Sequence, residues 1–274
     1  MKKIPLALMA IAVLSGISTA FADTSDIKAA NNQVGFQLVS TYVDYTETGD
    51  GVLIPPGTLD TEKGPVPGYA LSVSTMHDLW LGNDYIEAEY DHASGNTKYM
   101  GGLLGPPPTP YGSVVSTSGA ALTNFSARYG AGFMVNDQFM LTPYLELGHH
   151  EWDRAVNMGE LYTHNYYGIG VLAQYTPANR TVLSARATFG HTFGSNIAIN
   201  GAFSGPLGNS ALFRVGAAAD YAFVQNLHAT LDIEYTSFNY GISALYPLGG
   251  GYYGWEPDSS TKYTTVRIGL GAAF

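Results

Sequence analysis

The last residues of the chain, 263–274, constrain its fold more than any other stretch. Counting back from Phe274 in steps of two gives an almost wholly apolar set that includes Leu270 and Ile268, whereas the intervening set is small or polar and contains Arg267. Because successive side chains of a strand point to opposite faces, the pattern predicts a strand with one apolar and one polar face. Such a strand suits the wall of a membrane β-barrel, which touches hydrocarbon on one side and the lumen on the other.

The start of the chain has the pattern of an export signal. Lys2 and Lys3 supply positive charge, residues 4–13 are almost wholly apolar, and residues 20–22 have the A-x-A form of a signal-peptidase site. The apolar stretch is short for a membrane-spanning helix, which needs about 20 residues. We therefore predict a signal peptide over 1–22 and a single barrel domain over 23–274.

Composition agrees with a barrel and excludes several classes of function. Charged residues make up 12% of the chain, against about 25% in a soluble domain, while Tyr (20) and Gly (33) are abundant. The absence of cysteine excludes disulfides and thiolate chemistry. The formal net charge of −10 argues against nucleic acid as a partner, because that role needs a basic surface.

The alternation of apolar and polar side chains continues along the whole of the predicted domain. It predicts an all-β fold, a transmembrane antiparallel up-and-down barrel of ten strands, with eight or twelve strands as alternatives. Short periplasmic turns alternate with long extracellular loops, which is typical of outer-membrane barrels and not of a soluble sandwich. Residues 23–32 are expected to be a loose lead-in. The predicted strands cover about 33–45, 66–76, 84–93, 123–133, 139–150, 162–175, 181–193, 213–221, 227–239 and 263–274.

Charged residues on the inward faces of these strands predict a lumen charge network. They lie near one level of the wall and alternate in sign between neighbouring strands. The predicted members are Glu87, Glu89, Asp91, Arg128, Glu146, Arg186, Arg214, Asp220, Asp232, Glu234 and Arg267. Charges in a narrow interior must be paired to offset their desolvation, so a salt-bridged filling of a small barrel is the favoured interpretation. A narrow charge-lined conduit is the alternative.

Histidines collect near the predicted extracellular strand ends, but they do not form a recognisable site. His149 and His150 are adjacent in a strand and therefore point to opposite sides. His150 and His164 share inward parity on neighbouring strands and are the one pair worth testing. Ten-stranded proteases of the omptin type place Asp and His at that rim, yet no matching Asp-x-Asp and Asp-x-His set occurs in register here. We predict no enzyme, no metal site and no cofactor.

The architecture, the signal sequence and the terminal Phe274 together resemble porin-like or opacity-type outer-membrane β-barrel proteins, small barrels of the OmpA type without a periplasmic domain. The resemblance implies an outer-membrane location with both termini in the periplasm. It also implies contact with outer-membrane lipids and lipopolysaccharide, and recognition of Phe274, Leu270 and Ile268 by the barrel-assembly machinery. Ala272 departs from the pattern, since a Tyr is usual at that position.

Three functions remain open from the sequence. The favoured one is a structural or surface-exposed interaction protein that meets an extracellular ligand through its long loops. The second is a small passive pore for small solutes. The third is an omptin-like or lipid-modifying enzyme at the rim.

Overall fold

The computed structural model describes residues 24–102, 109–156 and 158–274, and the predicted signal peptide lies outside the described residues. A short helix, α1 (Thr24–Ala30), precedes the strands. The strands in chain order are β1 Gln33–Gly49, β2 Gly57–His77, β3 Asp84–Gly101, β4 Val114–Ala131, β5 Phe133–Asn136, β6 Phe139–Arg154, β7 Glu160–Ala178, β8 Thr181–Ile199, β9 Phe203–Pro206, β10 Ala211–Val224, β11 Leu227–Tyr240, β12 Tyr246–Gly249, β13 Tyr252–Gly254 and β14 Asp258–Ala273.

Ten of these strands form a closed antiparallel wall, which confirms the predicted fold class and strand number. Their order is β1, β2, β3, β4, β6, β7, β8, β10, β11 and β14, and each pairs with its neighbour in the chain. The wall closes between β14 and β1, where Leu38 lies opposite Ile268 and Gln33 lies opposite Ala273. The backbone N–H of Phe274 donates to the carbonyl of Asn32 just before β1, so the last residue continues this seam.

A belt of exposed apolar side chains surrounds the middle of the wall. Leu38, Leu145, Ile169 and Ile268 are 59% to 65% exposed, and each alternates with a side chain that faces the lumen. In water this surface would be unfavourable, whereas hydrocarbon is its natural surrounding. The belt is the lipid-facing surface of a transmembrane barrel.

The wall strands extend beyond the predicted bounds at one end, which we call the loop end. β2 begins at Gly57, β3 continues to Gly101 and β4 begins at Val114, so much of the expected loop sequence is strand. The loops at this end are longer than the turns at the other end, as predicted, but they are shorter than expected, because the alternation of apolar and polar side chains disappears once both faces of a strand are polar. At the opposite, short-turn end, the connections 78–83, 179–180 and 225–226 are brief, as predicted.

The prediction of a loose lead-in over residues 23–32 is wrong, because α1 lies in the mouth of the barrel at the short-turn end. Its Ile27 is fully buried and packs in a cluster with Met76, Met140 and Leu172. Asn31 Nδ2 donates to Gln174 Oε1 across the lumen over 2.7 Å. α1 therefore plugs this mouth. Among the described residues, no helix has the length and apolar character needed to cross a membrane.

Candidate functional site: the filled lumen and its loop-end cap

Four arginines and six carboxylates form a charge belt across the middle of the lumen. On one side, Arg128 of β4 lies between Glu87 of β3 and Glu146 of β6 in the strand register. Arg128 Nη1 is 2.6 Å from Glu87 Oε2, and its Nη2 is 3.0 Å from Glu146 Oε1. Arg214 also pairs with Glu146. The cross-strand register thus places opposite charges side by side.

On the other side of the lumen, Arg267 of β14 binds carboxylates from two directions. Its Nη1 is 2.8 Å from Asp232 Oδ1 on the neighbouring strand. Its Nε is 3.0 Å from Asp91 Oδ1 and its Nη2 is 3.4 Å from Glu89 Oε1, both on β3 across the lumen. These contacts span the interior and connect two separate parts of the wall.

Glu234 of β11 joins the two sides of the belt. Its carboxylate is 3.1 Å from Arg186 Nε and 3.6 Å from both Arg214 Nε and Arg267 Nη2. Gly216 lies between β8 and β11 at this level, and a Cβ there would stand 3.1 Å from Arg186 Nε. The glycine therefore leaves room for Arg186 to reach over β10 to Glu234 and Asp232.

Asp220 is the one predicted member that the structure does not place in this belt. It lies nearer the short-turn end and pairs instead with His228 Nδ1, which the sequence interpretation did not include. Gln33 Nε2 also donates to Asp220 Oδ2 over 3.2 Å. The alternation of side chains along β10 correctly predicts that Asp220 points into the barrel. Asp220 lies four residues below Gly216, however, and this separates it from the arginines.

An aromatic layer fills the lumen above the belt. Tyr45 and Trp152 meet edge to face with 4.9 Å between ring centroids, and Trp152 stacks on Tyr162 at 5.7 Å. His150 and His164 lie at the lower side of this layer, 5.1 Å apart between ring centroids. They were expected at an accessible rim, but they are only 6% and 1% exposed.

Both histidines are engaged with tyrosines. His150 Nε2 is 3.2 Å from the hydroxyl of Tyr263, and His164 Nδ1 is 2.8 Å from the hydroxyl of Tyr240. The parity argument brought the pair together correctly. The predicted exposure of the pair to water is wrong, because the strands continue above the two histidines and carry further aromatic side chains that point inward.

Above the aromatic layer, Arg154 of β6 is surrounded by acidic side chains. Arg154 is fully buried, and its guanidinium lies 4.3 Å from the centre of the Tyr45 ring. It donates to Glu62 Oε2 over 2.9 Å through Nε and to Glu160 Oε2 over 2.9 Å through Nη1. Glu47 and Asp60 lie 3.2 and 3.5 Å from it. We call Arg154 with Glu47, Asp60, Glu62, Glu160 and the nearby Glu256 the loop-end cap.

The loop-end cap lies outside the membrane-spanning part of the barrel. On the outer surface, Lys63 Nζ and Asp44 Oδ1 form an exposed ion pair at 2.7 Å, and the apolar belt ends below them. Burial raises the pKa of Asp60 to about 8, with the charge of Glu47 adding to the effect and Arg154 opposing it. Burial also raises the pKa of Glu256 well above its ordinary value, with Glu47 and Glu160 adding to the effect. Both shifts in pKa favour the protonated carboxyl in the folded cap.

The sequence interpretation missed the cap because it assigned these residues to loops. One signal was present: Glu47 and Tyr45 continue the inward parity of Thr41 and Val43 on β1. Arg154 likewise continues the parity of Trp152 and His150 on β6. A barrel strand that projects beyond the membrane is indicated when alternate side chains continue to point into the lumen while the outer face is no longer apolar.

The described residues leave several empty spaces along the lumen, and one of about 310 Å³ lies beside α1 at the short-turn mouth. A cavity of about 60 Å³ lies between the aromatic layer and the charge belt, and one of about 120 Å³ lies between the belt and α1. Arg267 of the charge belt lines both. Within residues 24–102, 109–156 and 158–274, no group of three or more His, Asp or Glu side chains is arranged to hold a metal ion.

Comparison with solved structures finds several membrane barrels to which the chain is similar. The chain is similar to the outer membrane protease OmpT from Escherichia coli, with a TM-score of 0.54, 9% identity, and coverage of 89% of this chain and 97% of that chain. It is also similar to the transport unit of the autotransporter AIDA-I from Escherichia coli (TM-score 0.47, 12% identity, coverage 88% and 90%). A third similarity is to Ail, the attachment invasion locus protein of Yersinia pestis (0.34, 11%, 89% and 99%).

No family model matches the sequence, and no curated protein matches it either. The likeness to OmpT is a likeness of fold, since 9% identity transfers no activity. Together with the closed ten-strand wall and its apolar belt, it defines the chain as an outer-membrane-type β-barrel. Its particular features within that class are a lumen filled by a charge belt, a helical plug at one mouth and an arginine-centred cap at the other.

Proposed function

We propose that this chain is a non-enzymatic outer-membrane barrel that acts through its outer surface and loop end. The observation that supports this most directly is the filling of the lumen in four successive levels. α1 occupies one mouth, and the charge belt, the aromatic layer and the loop-end cap follow in order. A barrel filled in this way is a rigid support for the strands and loops that project beyond the membrane.

The proposed location is the outer membrane, with the loop end outside the cell and α1 in the periplasm. The predicted signal sequence and the fold support it. In this orientation the projecting parts of β1 to β4 and the β12–β13 hairpin are exposed to the surroundings. Tyr252 and Tyr253 of that hairpin are 69% and 59% exposed, which suits contact with an extracellular ligand. Recognition of Phe274 by the barrel-assembly machinery belongs to the same proposal.

Lipopolysaccharide is the proposed partner at the upper edge of the apolar belt. Glu151 and Asp153 of β6 point outward just above the belt, where phosphate groups of the outer leaflet would lie. Divalent cations can bridge carboxylates and phosphates, because both are hard oxygen ligands. Lys63 and Lys262, also outward at this level, can meet phosphates directly.

Thermal unfolding in detergent tests this partner. Adding lipopolysaccharide with Mg²⁺ should raise the unfolding temperature, because a ligand that binds the folded state stabilises it. The increase should shrink in EDTA and in the Glu151→Gln/Asp153→Asn variant. Asp137→Asn, at the short-turn end, is the matched control and should leave the increase unchanged. Equal stabilisation of all three proteins, with or without EDTA, would contradict the proposal.

The structure disfavours the two alternatives by specific observations. A passive pore needs a continuous passage, and the ion pairs of the charge belt and the loop-end cap occupy the lumen of the described barrel. A rim enzyme acting through His150 and His164 needs substrate access, and both side chains are buried beneath aromatic rings. If the purified protein hydrolyses a peptide or lipid ester, and His150→Phe/His164→Phe abolishes that activity without unfolding the barrel, the non-enzymatic proposal is wrong.

A further inference from the structure

The turn between β2 and β3 differs in character from the other turns at the short-turn end. It presents Leu79, Trp80 and Leu81 consecutively, and these side chains are 53%, 78% and 67% exposed. Among the described residues, the other brief turns at this end are polar, with sequences Asn136-Asp137-Gln138, Asn179-Arg180 and Gln225-Asn226. Three exposed apolar side chains in a row are unfavourable in water, so this turn needs a partner surface.

The turn is held in a fixed shape from within. Asp84 Oδ2 accepts hydrogen bonds from the backbone N–H groups of Leu79, Trp80 and Leu81 over 3.0, 2.8 and 3.0 Å. Asp84 Oδ1 accepts a hydrogen bond from the hydroxyl of Tyr129 over 2.7 Å. The carboxylate thus satisfies the backbone donors on the inner side of the turn. Leu79, Trp80 and Leu81 project from the outer side of the turn, beside the exposed Asp78.

The position of Trp80 shows which way the apolar side faces. Its ring contacts that of Tyr129, with 6.2 Å between centroids. Tyr129 shares the outward parity of the exposed Phe125, whereas Arg128 between them points into the lumen. The turn therefore lies against the outer wall, continuous with the lipid-facing belt, and does not fold over the mouth as α1 does.

We propose that residues 79–81 insert into the lipid leaflet at the short-turn end and anchor this side of the barrel at the membrane surface. Indole rings favour the boundary between headgroups and acyl chains, where the ring is buried and its N–H stays hydrated. Leu79 and Leu81 add apolar area that the leaflet can cover. Phe133 and Val135 of the neighbouring β5, 56% and 58% exposed, extend the same surface. A second copy or another protein is the competing occupant.

Because the chain has no cysteine, single labels can test this proposal directly. Leu81→Cys carries an environment-sensitive fluorophore in the full chain, reconstituted into phosphatidylcholine vesicles with or without brominated acyl chains. Asn179→Cys is the matched control, since it is an exposed polar turn residue at the same end whose neighbour Arg180 is bonded through its N–H to Asp26 of α1.

The expected result is a blue-shifted emission from the Leu81 label and the loss of most of its intensity in brominated vesicles, with little change at Asn179. A blue shift without bromine quenching would show that a second copy of the chain covers the turn in these vesicles, and it would overturn the proposal. Equal quenching of both labels, or none, would overturn it as well. The unlabelled protein gives a second measurement: brominated lipid should quench tryptophan emission more in the parent protein than in Trp80→Phe.

Discussion

Arg154 and Glu62 form an ion pair with no solvent exposure at either side chain, and Arg154 Nε donates to Glu62 Oε2 over 2.9 Å. Glu62 also accepts from the hydroxyl of Thr97 on β3 over 2.5 Å, so strands β2, β3 and β6 meet at one carboxylate. The pair lies above the lipid-facing belt, where lipid no longer supports the wall. The projecting strands therefore depend on it for their arrangement.

Replacing Arg154 by Met should loosen the loop end. Several buried carboxylates would lose the guanidinium that they contact, and breaking a buried ion pair from one side costs about 3–5 kcal/mol. Limited proteolysis of the folded protein should then cut within the projecting strands, while the membrane-embedded wall stays resistant. Lys98→Met, an exposed change at the same end, should have no such effect. Equal resistance of both variants would contradict the assigned role.

Raising the pH should also loosen the loop end. Asp60 ordinarily titrates near 3.8, and burial raises its pKa to about 8 in the folded state. The folded state therefore binds the proton more tightly than the unfolded state. The stabilisation is fully present below about pH 4 and is lost as the pH rises through 8. Amide hydrogen exchange of the projecting strands, corrected for intrinsic rates, should be faster at pH 9 than at pH 6, and Asp60→Asn should reduce the difference.

Replacing Glu234 by Gln should weaken the charge belt. Its carboxylate serves three arginines, so the change leaves buried positive charge less compensated, at a cost of about 3 kcal/mol. The temperature at which the folded form converts to the unfolded form on a detergent gel should fall. Glu151→Gln, whose side chain is 46% exposed, is the control and should shift little. A conversion temperature equal to that of the parent would mean that the belt adds little stability.

Replacing Ile27 by Ala should release the helical plug. The side chain is fully buried between Met76, Met140 and Leu172, and truncation of a buried Ile costs about 2–5 kcal/mol. The N-terminal segment should become accessible to protease without a change in the wall. Lys28→Ala on the same helix should leave it protected. Protection of both variants would show that other contacts hold α1.

The sequence predicts the wall well and its two ends poorly, for a physical reason. Where a strand crosses lipid, one face must be apolar, so alternation such as that of Leu270 and Ile268 reveals both the strand and its orientation. Beyond the membrane both faces of a strand meet water or polar side chains, so the alternation is lost. The sequence therefore predicts loops where Glu47 and Glu160 lie in strands. α1 spans seven residues, too few for helical periodicity to appear, and it docks through Ile27, Ala30 and a hydrogen bond from Arg180 to Asp26.

Planar-bilayer conductance tests most directly whether the lumen is closed. The purified full-length protein, inserted at many copies per membrane alongside a known open barrel as a positive control, should give no stable conductance steps at neutral pH. Reproducible steps of one size, arising from the parent protein and absent from a heat-unfolded sample, would contradict the closed lumen and favour the pore.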